Sequence, residues 1–134
     1  MAGLSLDTRP AQILRAGMEA VALRFALVHE ALRGSAPGAR EVVASGGALL
    51  GSPAWQRILC DALGTPLTLS AEPEASCRGA ALLALESLGL VRALEELPAA
   101  LGSRLEPDPA AHAAYRKALD RQRAAYDKLV APVQ

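Results

Sequence analysis

Aromatic side chains are scarce in this sequence, with one Trp, two Tyr and one Phe among 134 residues. So few rings leave little surface for stacking on nucleobases, which is how many proteins hold single-stranded nucleic acid. A basic surplus is missing too, because fourteen Lys and Arg residues are balanced by fourteen Asp and Glu residues. Without excess positive charge the chain cannot neutralise a phosphate backbone, so we expect no nucleic-acid partner.

Cysteine and histidine are also sparse, with two residues of each. Cys60 and Cys77 form no C-x-x-C pattern and each falls inside a predicted helix. We therefore predict two buried free thiols, in preference to a disulfide or a metal site. His29 and His112 stand far apart without the spacing of metal ligands, so we expect no metal site.

Long hydrophobic runs are absent. The most apolar stretch, Gly79–Val91, is interrupted by Glu86 and is too short to cross a bilayer. No basic segment followed by an apolar run opens the sequence, as it would in a signal peptide. We expect a cytoplasmic chain with no membrane partner. Its apolar residues, 51% of the total, are instead typical of a single globular domain.

The most informative stretch is Arg40–Gly64, which predicts a strand, a glycine turn and a helix. Glu41–Ala44 carries two β-branched residues and is bounded by Ser-Gly-Gly, as strands often are. Ser52 predicts an N-cap, with Pro53 as the first helical residue. Gly64 suits the left-handed position at which many helices end.

The adjacent glycines, Gly46 and Gly47, suggest a binding loop. Two residues without Cβ atoms allow another molecule to approach the backbone closely. Loops that lead from a strand into a helix often hold a phosphate or a nucleoside, because their N–H groups point outward. A tight turn with no ligand is the alternative on these residues alone.

A long helix is predicted before this stretch, with Thr8 as its N-cap, Pro10 in its first turn and its end near Arg33. Apolar residues recur in it at alternating spacings of four and three: Leu14, Met18, Val21, Phe25, Val28 and Leu32. Such a stripe predicts one helical face that is buried against a sheet or several helices.

A second strand, Leu67–Ser70, and a further helix, Ala75–Leu88, are predicted after it. The helix begins behind Glu72 and Glu74, which favour the positive end of its dipole. Its residues are almost all small or apolar, so we expect it to be buried on most sides. Gly102–Pro109, with two prolines, is predicted to be a linker.

The last predicted helix runs from about Ala110 to Val130 and has a narrow apolar stripe, which places it at the periphery. The stripe consists of Tyr115, Leu119, Gln122, Tyr126 and Leu129. The opposite, exposed side carries charges at helical pair spacings: Arg116, Asp120, Arg123 and Asp127.

The order of elements is that of an α/β protein, but only two parallel strands are predicted. Two strands covered by helices do not make a self-sufficient sheet, and their outer edges would be unpaired. We infer that the chain is a piece of a larger sheet or borrows strands from a partner. Association of identical chains through the sheet edge or the last helix is one such arrangement.

Three motifs resemble, in order and spacing, the C-terminal domain of the FGGY family of carbohydrate kinases. They are Ala44–Ala48, Ser52–Gln56 and the run Glu72–Ala81, which reads EPEASCRGAA. The resemblance covers about Gly3 to Leu90, and gluconokinase-like and xylulokinase-like members look most similar. It implies a partial actin-like (ribonuclease-H-like) ATPase domain over residues 1–91, followed by a helical C-terminal extension over 92–134.

The resemblance also implies a function, the transfer of a phosphoryl group from ATP, with Mg²⁺, to a hydroxyl of a sugar or sugar acid. Gly46, Gly47 and Ala48 would touch the ribose and phosphates of the nucleotide. Gly51 and Ser52 would lie near the adenine, where some relatives have an asparagine that this chain lacks. Gly79 would be a packing glycine behind the loop.

The chain departs from the family in lacking the residues that react. Upstream of the segment that this chain matches, the family has its aspartate base, its phosphate loops and most of its sugar pocket. That N-terminal part would be a partner of this chain. The obvious acidic candidates in this sequence are Asp7, Asp61, Glu72 and Glu74. None of them matches the family's base, and the resemblance implies no metal ligand in this chain. Asp61 is expected to face solvent. We therefore expect no catalytic residue and no activity in the isolated chain; a non-catalytic oligomerising or interaction module is the alternative.

Overall fold

The computed structural model describes residues 3–39, 41–94 and 97–129. In chain order these residues form α1 (Pro10–Ser35), β1 (Val42–Ala44), α2 (Gly47–Leu50), α3 (Pro53–Leu63), β2 (Leu67–Ser70), α4 (Ala75–Ser87), β3 (Leu101–Leu105) and α5 (Pro109–Leu129). Arg40, the start of the central stretch, and Val130, the expected end of the last helix, lie outside the described residues. No helix in the described ranges is long and apolar enough to cross a membrane.

The local signals that delimit α3 are confirmed. The Ser52 hydroxyl accepts a hydrogen bond from the backbone N–H of Trp55 at 3.3 Å, and Pro53 is the first helical residue. Gly64 adopts the left-handed conformation, with φ of 64°, and its N–H bonds to the carbonyl of Cys60. Each signal satisfies a backbone group that the helix leaves free at its ends.

The start of α1 differs from the prediction by one residue. The N-cap is Arg9, whose N–H donates to the Gln12 side chain at 2.8 Å. Thr8, the predicted N-cap, instead turns its hydroxyl back to accept the N–H of Ser5 at 2.9 Å. Pro10 is the first helical residue, as its missing N–H allows.

The sheet has the order β1-β2-β3 and confirms the predicted α/β class. β1 and β2 are parallel, with Val42 opposite Leu67 and Ala44 opposite Leu69. β3 runs antiparallel to β2, with Leu105 opposite Leu67. The prediction of a linker from Gly102 was therefore wrong over β3, since the free edge of β2 offers its backbone hydrogen-bond partners whatever the side chains.

The core lies between one face of the sheet and the helices α1 and α3. It includes Leu67 and Leu69 of β2, Ala44 of β1, and Ile58 and Leu59 of α3. Helix α3 is central because it contacts both α1 and α5.

The predicted buried face of α1 was largely wrong. The residues that α1 buries are Ala22, Leu23 and Ala26. Most of the predicted stripe is exposed to solvent, namely Leu14, Val21, Phe25, Val28 and Leu32, and Met18 is partly buried. Small alanines at the contact let α1 and α3 approach closely, and one neighbouring helix covers only a narrow strip of so wide an apolar surface.

The expectation that the fourth helix is buried was also wrong. Within the described residues α4 has no buried side chain, and Leu83, Leu85 and Leu88 are exposed. A Cβ added at Gly79 would meet no atom within 4 Å, so this glycine packs against nothing described. Cys77 is exposed on the same helix, whereas Cys60 is buried as predicted. The apolar composition of α4 does not reflect contacts in the described part of the chain.

Helix α5 is tied to the rest of the chain more firmly than predicted. Leu119 is buried and Tyr115 packs against the core, with its hydroxyl donating to the Glu19 carboxylate at 3.2 Å. Arg116 and Arg123, expected on the exposed side, both pair with Glu30 of α1. Tyr115 and Leu119, two of the five residues of the predicted apolar stripe, are therefore used in contacts within the chain.

Candidate nucleotide-binding site

The loop predicted to bind a nucleotide lies at the carboxyl end of β1. After Ala44 and Ser45, Gly46 takes a φ of 103°, a value that side chains with a Cβ rarely adopt. This corner redirects the chain into the single turn of α2, which begins at Gly47. A Cβ placed on either glycine would meet no atom of the described residues within 4 Å, so the backbone at these two positions can be approached closely by another molecule.

The first N–H groups of α2 point out of this loop. The N–H groups of Leu49 and Leu50 turn back to the Gly46 carbonyl, at 3.1 and 3.0 Å. Those of Gly47 and Ala48 have no acceptor among the described residues. Two adjacent free donors in an open loop can donate hydrogen bonds to the oxygens of a phosphate or a ribose.

The loop opens onto a cleft of about 590 Å³ between α1 and the β1–α2–α3 segment. Gly46, Gly47 and Ala48 line it together, as the resemblance implies for a shared binding loop. Most of the remaining wall is apolar, and the large apolar residues in it include Phe25, Val28, Leu32, Val43 and Trp55. His29 and Ser45 supply polar side-chain atoms.

Gly51 and Ser52, predicted to lie near an adenine, are not part of this wall. The Gly51 N–H donates to the Gly47 carbonyl at 2.9 Å, and a Cβ there would approach that oxygen to 3.1 Å. The Ser52 hydroxyl is engaged in capping α3. Both residues have structural roles at the α2–α3 corner, and their contact with a base stays a prediction.

Gln56 supports the loop, and the sequence reasoning missed it. Its side-chain amide Nε2 donates to the carbonyls of Leu49 and Leu50, at 3.1 and 3.0 Å. These bonds hold the end of α2 against the first turn of α3 and so fix the far side of the loop. A glutamine in the first turn of a helix that follows such a loop is the signal that could have found it.

The acidic residues lie away from this loop. Asp61 was expected to face solvent, but only 5% of it is exposed. Its carboxylate accepts hydrogen bonds from Arg57, at 2.5 and 3.1 Å, and from the Asp108 N–H at 2.8 Å. The prediction was wrong because the turn before α5 folds over this side of α3. Glu72 and Glu74 lie at the start of α4, where a Glu72 oxygen accepts the Glu74 N–H at 3.2 Å.

The Arg57–Asp61 pair is a structural contact. Its hydrogen bond raises the pKa of Arg57, and the Arg57 guanidinium also donates to the carbonyl of Glu106. The described ranges contain no group of three His, Cys, Asp or Glu side chains placed to hold a metal ion. These residues therefore bind the C-terminal segment to α3.

Comparison with known proteins places the chain in a family context. The model of the FGGY family of carbohydrate kinases, C-terminal domain, matches residues 1–88. A search of curated proteins finds no match. The xylulose kinase from Rhodospirillum rubrum is 32% identical over 96% of this chain and 26% of its own, with a TM-score of 0.73.

Two further solved structures show the same fold at lower identity. A ligand-bound xylulose kinase from Lactobacillus acidophilus is 21% identical over 97% of this chain and 27% of its own, with a TM-score of 0.76. A gluconate kinase from the same organism is 21% identical over 96% and 26%, with a TM-score of 0.74. The predicted partial actin-like domain is confirmed, and the chain spans about a quarter of the length of these structures.

Proposed function

Since this chain belongs to the FGGY family of carbohydrate kinases, we propose that it forms the nucleotide side of an ATP-dependent kinase acting on a hydroxyl of a sugar or sugar acid. The observation that carries this proposal is the open loop Gly46–Ala48, with two free N–H donors, on the wall of a cleft. Ligands of open α/β sheets bind beyond the carboxyl ends of the strands, which is where this loop lies.

The residues present fit the nucleotide and do not fit its metal ion. ATP, when bound, supplies the phosphoryl group, and the N–H groups of Gly47 and Ala48 would hold oxygens of its phosphates or ribose. The side chains within the described ranges offer no cluster of ligands for Mg²⁺. We assign no step to the metal on this chain.

We propose that the isolated chain is inactive. Phosphoryl transfer requires a positioned hydroxyl, a group that orients it, and charge stabilisation on both sides of the phosphate. A cleft with one wall also leaves the phosphates in contact with water. Steady consumption of ATP by the purified chain in the presence of gluconate or xylulose would contradict this assignment.

Titration of the purified chain with a non-hydrolysable ATP analogue tests nucleotide binding. Trp55 is the one tryptophan of the chain and lines the cleft, so its fluorescence reports occupancy. We expect a weak, saturable change that the double variant Gly46→Val/Gly47→Val abolishes. The matched control, Gly34→Val/Gly38→Val, alters two glycines that have free space, no left-handed φ and no place in the cleft wall.

A second variant guards against loss of the fold, because valine is strained at the φ of Gly46. Ala48→Asp keeps both glycines and adds a negative charge beside the two donors. We expect it to weaken binding of the analogue about tenfold, from repulsion of roughly 1.4 kcal/mol. An undiminished response in both variants, with native circular dichroism, would place the nucleotide elsewhere.

The remaining assignments follow the family. We propose that residues 1–91 are part of the nucleotide-side domain and that 92–134 are a C-terminal extension, although β3 and α5 of this extension pack on the same sheet and helices. We propose a cytoplasmic location. One observation favours the alternative of a non-catalytic interaction module: the exposed apolar side of α1.

A further inference from the structure

A second cavity, of about 320 Å³, lies between α1, α3 and α5. It shares no lining residue with the cleft of the candidate nucleotide loop. The two spaces lie on different sides of α3, since Trp55 and Leu59 line the cleft whereas Ile58 lines the second cavity. We call this space the α1–α3–α5 cavity. Its charged and hydroxyl side chains are Arg15, Glu19, Arg57, Asp61, Tyr115 and Arg121.

Each of the three helices contributes one arginine to this cavity: Arg15, Arg57 and Arg121. Nε of Arg15 donates to Glu19 at 2.8 Å. Arg57 donates to Asp61 through Nε and one of its Nη atoms, at 3.1 and 2.5 Å. Among the described residues, the Nη groups of Arg15, the second Nη group of Arg57 and the whole guanidinium of Arg121 have no hydrogen-bond acceptor. Guanidinium N–H groups that are free in this way can bind the oxygens of an anion in pairs.

The two carboxylates in the lining are already paired. Glu19 accepts a hydrogen bond from the Tyr115 hydroxyl as well as from its arginine, and Asp61 is buried and accepts a backbone N–H as well as its arginine. Arg121 forms no ion pair with a carboxylate of the described residues. Three arginines and two carboxylates therefore leave one formal positive charge in the cavity, and Arg121 carries it.

Helix α5 leaves room for a ligand in this cavity. Apart from Tyr115 and Arg121, the α5 residues that line it are Ala111, Ala114 and Ala118. Their spacing of three and four places them on one side of the helix, where their methyl groups leave the space beside the arginines open. Small-molecule sites in proteins have volumes of about 300–1,000 Å³. The cavity therefore has room for a phosphate group and a few further atoms.

We propose that the α1–α3–α5 cavity binds a small phosphorylated molecule, whose phosphate pairs with Arg15, Arg57 and Arg121. The inference goes beyond the proposed function and does not depend on it, because it uses no residue of the nucleotide loop. The oxygens of a phosphate are arranged tetrahedrally, so three helices can contact them at once, whereas a planar carboxylate offers two oxygens. A phosphate monoester also carries a charge of about −1.5 to −2 at pH 7, which favours it over a monoanion beside an unpaired arginine.

Titration of the isotope-labelled chain with inorganic phosphate, followed by NMR at constant ionic strength, tests the site. We expect saturable shifts of the Nε–H signals of Arg15, Arg57 and Arg121. Phosphate can also reach the N–H groups of the nucleotide loop, so the titration is repeated with Gly46→Val/Gly47→Val, which should keep the arginine shifts. A chain that fails to bind nucleotide therefore still gives a result for this cavity.

Two pairs of variants locate the phosphate. Arg121→Ala should weaken its binding about tenfold, because it removes the arginine that has no carboxylate partner. Arg33→Ala removes the same charge from the last turn of α1, outside the cavity, and should leave the affinity unchanged. In the second pair, Ala114→Glu adds a negative charge to the lining and should abolish the arginine shifts. Ala113→Glu, at an exposed α5 position outside the lining, should retain them.

The outcomes decide for or against the site. Equal weakening in Arg121→Ala and Arg33→Ala would show that phosphate responds only to the overall charge, and would overturn it. Arginine shifts that grow without saturation, or an affinity for acetate equal to that for phosphate, would also overturn it. If Arg121→Ala does not fold, the alanine pair decides: loss of binding in Ala114→Glu alone supports the site, and an equal result in both variants overturns it.

Discussion

The Nδ1 atom of His112 lies 2.8 Å from the backbone carbonyl oxygen of Asp61, which joins the first turn of α5 to the last turn of α3. A carbonyl oxygen can only accept, so Nδ1 carries the hydrogen and donates it. The same ring lies directly against Gly64, where an added Cβ would overlap it. Gly64 is therefore required for two independent reasons, its left-handed φ and its lack of a side chain.

Replacing Gly64 with alanine should destabilise the chain by about 2–4 kcal/mol, because alanine is strained at this φ and overlaps the His112 ring. The measurement is urea unfolding followed by circular dichroism. Gly17→Ala is the matched control, since Gly17 lies inside α1 with free space around it. That control should gain roughly 0.5–1 kcal/mol from helix propensity. Equal stability of the two variants would contradict the contact.

Replacing Asp61 with alanine should lower the free energy of unfolding by about 1–3 kcal/mol, because it leaves the N–H of Asp108 without its acceptor and Arg57 without its carboxylate partner. Asp61→Asn, which keeps an acceptor oxygen, should lose less. The control is Asp120→Ala on the exposed side of α5, expected to change stability by at most about 0.5 kcal/mol. Urea midpoints at pH 7 compare the three, and a neutral Asp61→Ala would refute the buried role.

Acid should weaken the start of α5. The N–H groups of Ala111 and Ala110 donate to the Asp108 carboxylate and lower its pKa from the ordinary 3.8. A lowered folded pKa gives stability that is complete above the unfolded value and lost as the pH falls through the folded value. The urea concentration at the midpoint of unfolding should therefore decrease as the pH is lowered below about 4.

The variant Asp108→Asn isolates this contribution. Asparagine is also a good N-cap, so the variant should be nearly as stable as the parent at pH 7. Between about pH 5 and pH 2 its free energy of unfolding should decrease less than that of the parent. Asp120→Asn serves as control, because the Asp120 carboxylate accepts no backbone hydrogen bond from the described residues. An identical acid response in the parent and Asp108→Asn would contradict the assignment.

The two thiols should react at different rates. Burial raises the pKa of Cys60, and its Sγ lies 3.5 Å from the carbonyl oxygen of Leu105. Cys77 is exposed on α4. The thiolate is the form that reacts, and both burial and a raised pKa disfavour it at Cys60. A thiol-specific reagent at pH 8 should therefore label Cys77 rapidly, and Cys60 only after denaturant is added. Cys77→Ser should remove the rapid phase; two equal rates in the parent would show that Cys60 is accessible.

The elements that the sequence predicted well are those with local causes. Ser52, Pro53 and Gly64 delimit α3 through hydrogen bonds and dihedral angles within a few residues, and β2 matches its predicted range. β3 was missed because Leu-Gly-Ser-Arg-Leu has no strand pattern. Its pairing depends on β2, more than thirty positions earlier. Local preference cannot reveal a partner so distant in the chain.

Faces were harder to predict than elements. The spacing of apolar residues in α1 shows which of them share a side, but the helix buries Ala22, Leu23 and Ala26 on an adjoining side, and Ala22 joins the core to which α3 contributes. Asp61 has the appearance of a surface residue until Asp108, 47 positions later, donates to it. At the candidate site, Gly46 and Gly47 were found from their lack of side chains, whereas Gln56 depends on a backbone that only the folded corner creates.

Helix α4 has no buried side chain, and among the described residues two hydrogen bonds join it to the following segment, from Arg78 to the Pro98 carbonyl and from the Leu94 N–H to Glu86. Its opening would therefore break few contacts and leave β2, α3 and α5 intact. Amide hydrogens of α4 should exchange with solvent deuterium well before those of α3. We therefore expect unfolding in stages, in which α4, the helix between β2 and β3, opens first while the strands on either side of it remain paired.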